Sequence, residues 1–221
     1  MPIITVFNSK GGSAKSTTIA VLADAFARQG ASVSVIDTDR QRSIANWLAD
    51  NPASSIRLVE EVASTRIHQV IRNEAAKSAW VFIDTAGFST DMRTPVMSRA
   101  DLVIVPMQAS PEDARMASEA FALIRSDEET LNKPIPARIL WARTVPNFPT
   151  RVEKQIQEQI AEGAVPTFST HLHERSAFKA IFLEGQGLAQ LDADRVTGLQ
   201  KALDNADSLA AELAGYILSG A

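Results

Sequence analysis

The sequence predicts an α/β fold with a doubly wound, mostly parallel sheet and helices on both faces of that sheet. Short β-branched runs alternate along the chain with longer segments of helical periodicity. The short runs are apolar at successive positions, as expected of strands that are covered on both faces. A glycine-rich segment also joins the first predicted strand to the first predicted helix, where such folds place a phosphate-binding loop.

The elements follow from this alternation in chain order. Strands are predicted at residues 3–7, 32–36, 80–83, 102–105 and 138–142. Helices are predicted at about residues 15–29, 43–49, 64–77, 111–131, 151–162 and 195–218. The last helix repeats leucine and isoleucine at helical spacing, which indicates a helix that packs on the core. The positions of that stripe are Leu199, Leu203, Leu209, Leu213 and Ile217.

Composition limits the classes of function. The 221 residues suit one domain over positions 1–221, and the net charge of −4 argues against a strongly basic nucleic-acid binder. The lack of cysteine excludes disulfides and thiolate-held iron–sulfur clusters. No signal peptide is evident, and no apolar run approaches the roughly 20 residues of a membrane span. We therefore expect a cytoplasmic protein without a membrane partner.

The glycine-rich segment at residues 9–17 predicts a phosphate-binding loop. Small residues let the backbone wrap an anion, and the helix that follows adds the partial positive charge of its N-terminus. Lys15 is expected to reach the β- and γ-phosphates of ATP, and Ser16 to offer its hydroxyl to Mg²⁺. The predicted nucleotide-binding residues of the loop are Gly11, Gly12, Ser13, Ala14, Lys15, Ser16 and Thr17.

The loop departs from the common pattern G-x-x-x-x-G-K-[ST] at both glycines. Ser9 stands at the first glycine position and Ala14 at the second. Because alanine disfavours positive φ, we expect the backbone at Ala14 to keep a negative φ.

Carboxylates follow two of the later strands. Asp37 and Asp39 end the second strand, and Asp84 ends the strand at 80–83. Strand C-termini in open α/β sheets face the ligand crevice, so Asp84 is expected to hold Mg²⁺ together with Ser16. Asp39 is expected to contribute to the same magnesium site or to orient the attacking water. Gly87, shortly after Asp84, is expected to bring a backbone N–H close to the γ-phosphate.

The pattern K-G-G-x-x-K-[ST] resembles the deviant Walker A loop of the ParA/MinD family of P-loop ATPases. This resemblance implies that Lys10 reaches across an ATP-bound homodimer to the nucleotide of the second protomer. The stretch at residues 37–47 resembles switch I of the small ParF-like members, with Arg40 at the usual proline position. It implies that Asp39 supports hydrolysis alongside Lys10 and Lys15, and that Arg143 contacts the base.

Resemblance to the same family extends to residues 171–185. In ParA proteins, basic residues of this region contribute to non-specific DNA binding, which implies that role for Arg175 and Lys179. Their spacing of four predicts that both lie on one face of a helix. The family also implies a ParB-like centromere-binding protein or a cargo adaptor as partner, and association with the nucleoid. Because the chain starts at the first strand, we expect it to lack the N-terminal helix-turn-helix extension of larger ParA proteins.

Several functions share these motifs. The leading hypothesis is an ATP-dependent switch that partitions plasmids or other DNA, with hydrolysis stimulated by its partner. Alternatives are a positioning ATPase for protein or DNA-transfer cargo, and an ATP-binding scaffold in which Ala14 and Arg40 impair hydrolysis. A small-molecule ligase of the dethiobiotin-synthetase type is disfavoured by Lys10 and by switch I. The sequence leaves open the cargo, the partner and the formation of polymers.

Overall fold

A computed structural model describes residues 1–9, 11–39, 41–60, 62–85, 90–146 and 150–219. The strands within these ranges are β1 (Ile3–Val6), β2 (Val33–Asp37), β3 (Arg57–Val59), β4 (Trp80–Asp84), β5 (Leu102–Met107), β6 (Ala137–Thr144) and β7 (Leu172–His173). They form one sheet in the order β3-β2-β4-β1-β5-β6-β7, and every adjacent pair is parallel. The predicted doubly wound, parallel architecture is confirmed.

Helices connect the strands. They are α1 (Lys15–Arg28), α2 (Ser43–Ala49), α3 (Ile67–Ala75), α4 (Thr90–Met97), α5 (Pro111–Leu131), α6 (Arg151–Glu162), α7 (Ser176–Glu184) and α8 (Leu199–Ser219). Short 3-10 turns at Ser64–Arg66 and Leu188–Gln190 precede α3 and α8. Within the described ranges, no helix is both long and apolar enough to span a membrane.

The strands bury side chains on both faces of the sheet. Along β4, Phe82 belongs to the core beneath α1, α2, α7 and α8, while Val81 and Ile83 belong to the core beneath α3 and α4. Along β5, Ile104 faces the first of these cores and Val103 faces a third, beneath α5 and α6. This alternation explains why the strand sequences are apolar at successive positions.

The predicted elements differ from the structure mainly in short segments. The edge strands β3 and β7 were not predicted, because two or three residues carry too little periodicity to stand out. Helix α4 was not predicted either, because it is short and contains Pro95. The predicted helix at 64–77 is a 3-10 turn followed by α3. The C-terminal helix packs on the core as predicted, since Leu209 and Leu213 are fully buried.

Strand register brings the predicted motifs to one edge of the sheet. Asp84 at the end of β4 is paired with Val6 of β1 on one side and with Asp37 of β2 on the other. The segment that follows Val6 leads into the glycine-rich loop and α1. The carboxylates and the loop therefore share the C-terminal edge, where open α/β sheets bind their ligands.

Candidate functional site

The glycine-rich loop leads directly into the N-terminus of α1. Lys15 is the first residue of this helix, and its first turn carries no acidic side chain. An acidic side chain there would compete with a bound anion for the free N–H groups and the positive end of the helix dipole. The loop therefore ends at the positive end of a helix dipole, which is the geometry that a phosphate-binding loop requires.

The expectation for Ala14 was wrong. Its backbone is left-handed, with φ of 70° and ψ of 21°, although L-residues pay about 1–2 kcal/mol for this conformation. The loop needs this turn to enter α1, and the Ala14 carbonyl accepts both the Thr18 N–H and the Thr18 hydroxyl. Alanine therefore occupies, with strain, a conformation that glycine adopts freely.

A cavity of about 240 Å³ lies over this loop. Its lining brings together the loop, switch I (residues 37–47), the end of β6 and α7. The lining residues are Gly11, Gly12, Ala14, Lys15, Ser16, Thr17, Asp39, Gln41, Ser43, Arg143 and Phe182. Sequence reasoning had singled out most of this set, whereas Ser13 of the loop is buried instead of lining the cavity.

Ser16 and Asp84 meet beside this cavity. The Ser16 hydroxyl donates a hydrogen bond of 2.8 Å to Oδ2 of Asp84. The other carboxylate oxygen, Oδ1, is buried and has no hydrogen-bond partner. Burial, together with the nearby carboxylates of Asp37 and Asp39, raises the pKa of Asp84 to about 7, although Ser16 and Lys15 oppose the shift. An unpaired buried oxygen beside a serine hydroxyl fits a magnesium site.

A magnesium ion beside Ser16 and Asp84 would share its ligands between the protein and a bound nucleotide. The described residues contain no group of three or more His, Cys, Asp or Glu side chains placed to hold a metal ion. Mg²⁺ is usually held by one or two carboxylates together with substrate phosphates and water. Ser16 and Asp84 therefore match the protein's share of a magnesium–nucleotide site.

Lys15 is the buried cation of the site. Its side chain lines the cavity although the residue is only 7% exposed. Burial lowers the pKa of Lys15, while the carboxylates of Asp84 and Asp39 oppose this shift. A desolvated ammonium group between carboxylates and an anion-binding loop is well placed to receive phosphate oxygens.

The two aspartates of switch I have different surroundings. Both oxygens of Asp37 accept backbone N–H groups, from Asp39 at 2.9 Å and from Ala45 at 3.0 Å. Asp37 therefore holds the backbone of switch I and the first turn of α2 in place. The Asp39 carboxylate accepts the Gln41 N–H at 3.0 Å and lines the cavity. Of the two, Asp39 is the one placed to act on a ligand.

Arg143 lies at a bulge in β6. It has a positive φ of 54°, and the pairing of β6 with β7 shifts register between Ala142 and Thr144, the residues on either side. Its side chain is exposed and lines the cavity. The bulge thus directs a cationic side chain toward the ligand space. Bulges and positive φ angles at non-glycine residues are common at functional sites.

Three predicted positions lie outside the described residues. They are Lys10, which the resemblance places at the dimer contact, Arg40 in switch I, and Gly87 after β4.

The two predicted DNA-contacting residues do not share a helical face. Arg175 precedes α7 in extended conformation, with φ of −139° and ψ of 140°, so its spacing from Lys179 is not helical. Lys179 is exposed and ion-paired with Glu174. Arg175 instead borders a polar groove between β7 and α8. The lining of this groove comprises Ser169, Thr170, His171, His173, Arg175, Lys201, Asp204, Asn205 and Ser208.

Sequence reasoning missed three residues of the nucleotide cavity. Gln41 and Ser43 lie within the predicted switch I stretch, so their position after Asp39 was the available signal. Phe182 carried no such signal, because only the packing of α7 brings it to the cavity.

Comparison with known proteins agrees with this geometry. The profile of the VirC1 protein family matches residues 1–217. A protein named ParA from Rhizobium radiobacter is 29% identical over 211 residues, covering 95% of both chains. The maintenance of carboxysome distribution protein A of Halothiobacillus neapolitanus is 25% identical, covering 86% of this chain and 88% of its own.

Solved structures share the fold at low sequence identity. The pNOB8 ParA protein bound to nonspecific DNA superposes with a TM-score of 0.63 and 16% identity, covering 99% of both chains. Because the VirC1 profile spans nearly the whole chain, and the loop, sheet and relatives agree with it, the chain belongs to the VirC1 protein family, within the ParA/MinD group of P-loop ATPases.

Proposed function

We propose that this protein is an ATP-dependent switch of ParA type, which dimerises around ATP, binds DNA without sequence preference, and releases it after hydrolysis. This proposal rests mainly on the cavity over the N-terminus of α1, where Lys15 and Asp39 line the ligand space beside the Ser16–Asp84 pair. A buried lysine, a hydrogen-bonded serine–aspartate pair and a further carboxylate around one space support this proposal.

Each polar group of the site has a separate role in this proposal. Lys15 and the N–H groups of the loop bind the phosphates, while Ser16 and Asp84 hold Mg²⁺. Bound Mg²⁺ would neutralise phosphate charge during transfer. Asp39 orients the attacking water, because its carboxylate lines the cavity and the Gln41 N–H fixes one of its oxygens.

Lys10 carries the proposed link between ATP and dimerisation. It follows the pattern K-G-G-x-x-K-[ST], whose first lysine contacts the second nucleotide of the dimer in the ParA/MinD family. A dimer doubles the number of basic groups that one DNA duplex meets. Since the salt slope of log affinity is roughly −0.9 per phosphate neutralised, DNA affinity should rise steeply on dimerisation.

The groove between β7 and α8 changes which basic residues we expect to contact DNA. Arg175 and Lys201 both line this groove, together with His171 and His173. Lys179 stands outside it and is paired with Glu174, so part of its charge is already compensated. We therefore expect Arg175 and Lys201 to contribute more to phosphate contacts than Lys179 does.

The test measures binding to a nonspecific DNA duplex by fluorescence anisotropy, over a salt series, with ATP, ADP or no nucleotide. We expect binding only with ATP, and a shallower salt slope in Arg175→Ala and Lys201→Ala, by about one phosphate per removed contact. Lys179→Ala serves as the matched control and should change the slope less. Equal binding in ATP and ADP would overturn the switch proposal.

The comparisons favour one alternative function, in which the cargo is not bare DNA. The VirC1 profile and the carboxysome-distribution relative indicate that members of this group serve different tasks. A positioning ATPase for protein or DNA-transfer cargo would retain ATP-dependent dimerisation but show no ATP-dependent affinity for bare duplex DNA. The same anisotropy series, paired with sedimentation in ATP and ADP, separates these two functions.

A further inference from the structure

Phe182 is the one aromatic side chain among the described residues that line the nucleotide cavity. It lies on α7, more than 160 residues after the glycine-rich loop, and it shares the cavity wall with Thr17 and Arg143. The loop, Lys15 and the carboxylates account for the polar needs of a triphosphate. An aromatic ring offers a different kind of contact, because every nucleobase presents a face that stacks on it.

The ring is held in place from behind by α2. Trp47 is 1% exposed, and the centroids of the Trp47 and Phe182 rings are 6.0 Å apart. Trp47 Nε1 also donates a hydrogen bond of 2.9 Å to the carbonyl of Gln186, just after α7. The aromatic contact and the hydrogen bond together tie α7 to α2, the helix that begins in switch I.

Further side chains of α7 extend the same wall. Phe178, one turn before Phe182, lines an adjoining cavity of about 40 Å³ with Ala14, Thr17 and Arg143. The two cavities thus share Ala14, Thr17 and Arg143 as common walls. A ligand that is bound at the phosphate loop and extends in this direction would contact α7 and the Arg143 side chain. This apolar and cationic wall suits the nucleoside part of a nucleotide, not its phosphates.

We propose that Phe182 contacts the nucleobase of the bound nucleotide, and that Trp47 is the positioning residue that fixes its ring. This inference rests on the proposed binding of ATP in the same cavity. Phe182 lies on α7, and Arg175 directly precedes this helix. The proposed base contact and the DNA groove are therefore connected through α7.

The test compares the affinity of Mg-ATP with that of magnesium tripolyphosphate, which has phosphates but no nucleoside, by isothermal titration calorimetry. Phe182→Leu keeps apolar packing against Trp47 while removing the ring, and Phe182→Ala removes both. We expect both variants to lose at least about fivefold in ATP affinity and to keep tripolyphosphate affinity within about twofold. Leu183→Ala is the matched control, since the neighbouring Leu183 is 82% exposed and lies outside the cavity.

Trp47→Phe tests the positioning role, because it keeps a ring but removes the hydrogen bond to Gln186. We expect an intermediate loss of ATP affinity, with tripolyphosphate affinity unchanged and the circular dichroism spectrum retained. ATP affinity within about twofold of wild type in both Phe182 variants would overturn the proposal. An equal loss for ATP and tripolyphosphate would also overturn it, since the effect would then act through the phosphate loop. If the wild type itself binds no ATP, the proposed function fails instead.

Discussion

The Ser16 hydroxyl at the start of α1 donates a 2.8 Å hydrogen bond to the Asp84 carboxylate at the end of β4. This bond joins the phosphate loop to the strand that runs beside β1. It satisfies one oxygen of a fully buried carboxylate and leaves the other oxygen unpaired. The unpaired oxygen is therefore available to bind a cation. Burial raises the pKa of Asp84 from its ordinary value of 3.8 to about 7.

Asp84 should make both stability and magnesium binding depend on pH. Its raised pKa means that the folded protein binds more protons than the unfolded chain between about pH 4 and pH 7, so unliganded stability falls as pH rises through that window. Above about pH 7 the carboxylate is ionised, so Mg-ATP affinity should rise between about pH 6 and pH 8.

Urea denaturation and calorimetry across this range check both effects. Asp84→Asn should flatten the pH dependence of stability and lose the rise in Mg-ATP affinity. Asp204→Asn, which replaces an exposed carboxylate, should behave like wild type. An unchanged pH profile in Asp84→Asn would assign the titration to another group.

Ala14 is expected to be a site of removable strain. Because glycine adopts the left-handed conformation without penalty, Ala14→Gly should raise the free energy of unfolding by up to about 1 kcal/mol and keep ATP binding. Ala211→Gly, in the exposed face of α8, should instead lower it by about 1 kcal/mol. Urea denaturation of both variants gives the comparison, and a loss of stability in Ala14→Gly would contradict the assignment of strain.

Asp39 should be needed for turnover and not for binding. Asp39→Ala is expected to keep its ATP affinity while phosphate release falls by at least about 100-fold, because the removed carboxylate would orient the attacking water. Single-turnover phosphate release and calorimetry measure the two properties separately. Asp194→Ala removes an exposed carboxylate outside the cavity and is the control. Wild-type hydrolysis in Asp39→Ala would refute this role.

Arg93 and Asp127 form a buried ion pair that anchors α4 to α5. Their side chains are 9% and 3% exposed, with Nε and Oδ2 2.7 Å apart. Removing one charge leaves the other buried and unpaired, so Arg93→Met should cost about 3–5 kcal/mol of unfolding free energy. The double change Arg93→Met with Asp127→Leu should recover part of that loss. Arg115→Ala, which breaks an exposed pair, should change stability by less than about 1 kcal/mol.

Gly185 should tolerate no side chain. A Cβ there would lie 2.4 Å from the Asp50 Cβ, and its φ of 58° already favours glycine. Gly185→Ala should therefore cost about 1–3 kcal/mol and loosen the contact between α7 and α2. Gly215→Ala in α8 meets no atom within 4 Å and should be neutral or slightly stabilising. Chemical denaturation of the two variants compares them directly.

Local sequence determined the elements and motifs whose signal lies in neighbouring residues. The apolar strands, the phosphate loop before α1, and the aspartates at the ends of β2 and β4 were predicted because strand periodicity and loop chemistry act over a few residues. Parallel order then brings those strand ends to one edge, so the sequence alone was enough to group Lys15, Ser16, Asp39 and Asp84 in one site.

Tertiary structure decided what depends on packing between distant segments. Phe182 reaches the cavity because Trp47 and Gln186 join α2 to α7, across about 140 residues of chain.

The left-handed Ala14 and the bulge at Arg143 arise because closing the loop and pairing β6 with β7 outweigh the local preference of each residue. Arg175 lines a groove with Lys201 and does not share a helical face with Lys179, because α7 starts one residue after Arg175. Helical spacing predicts a shared face only within a helix, and the start of α7 is fixed by the packing of its apolar side chains on the core.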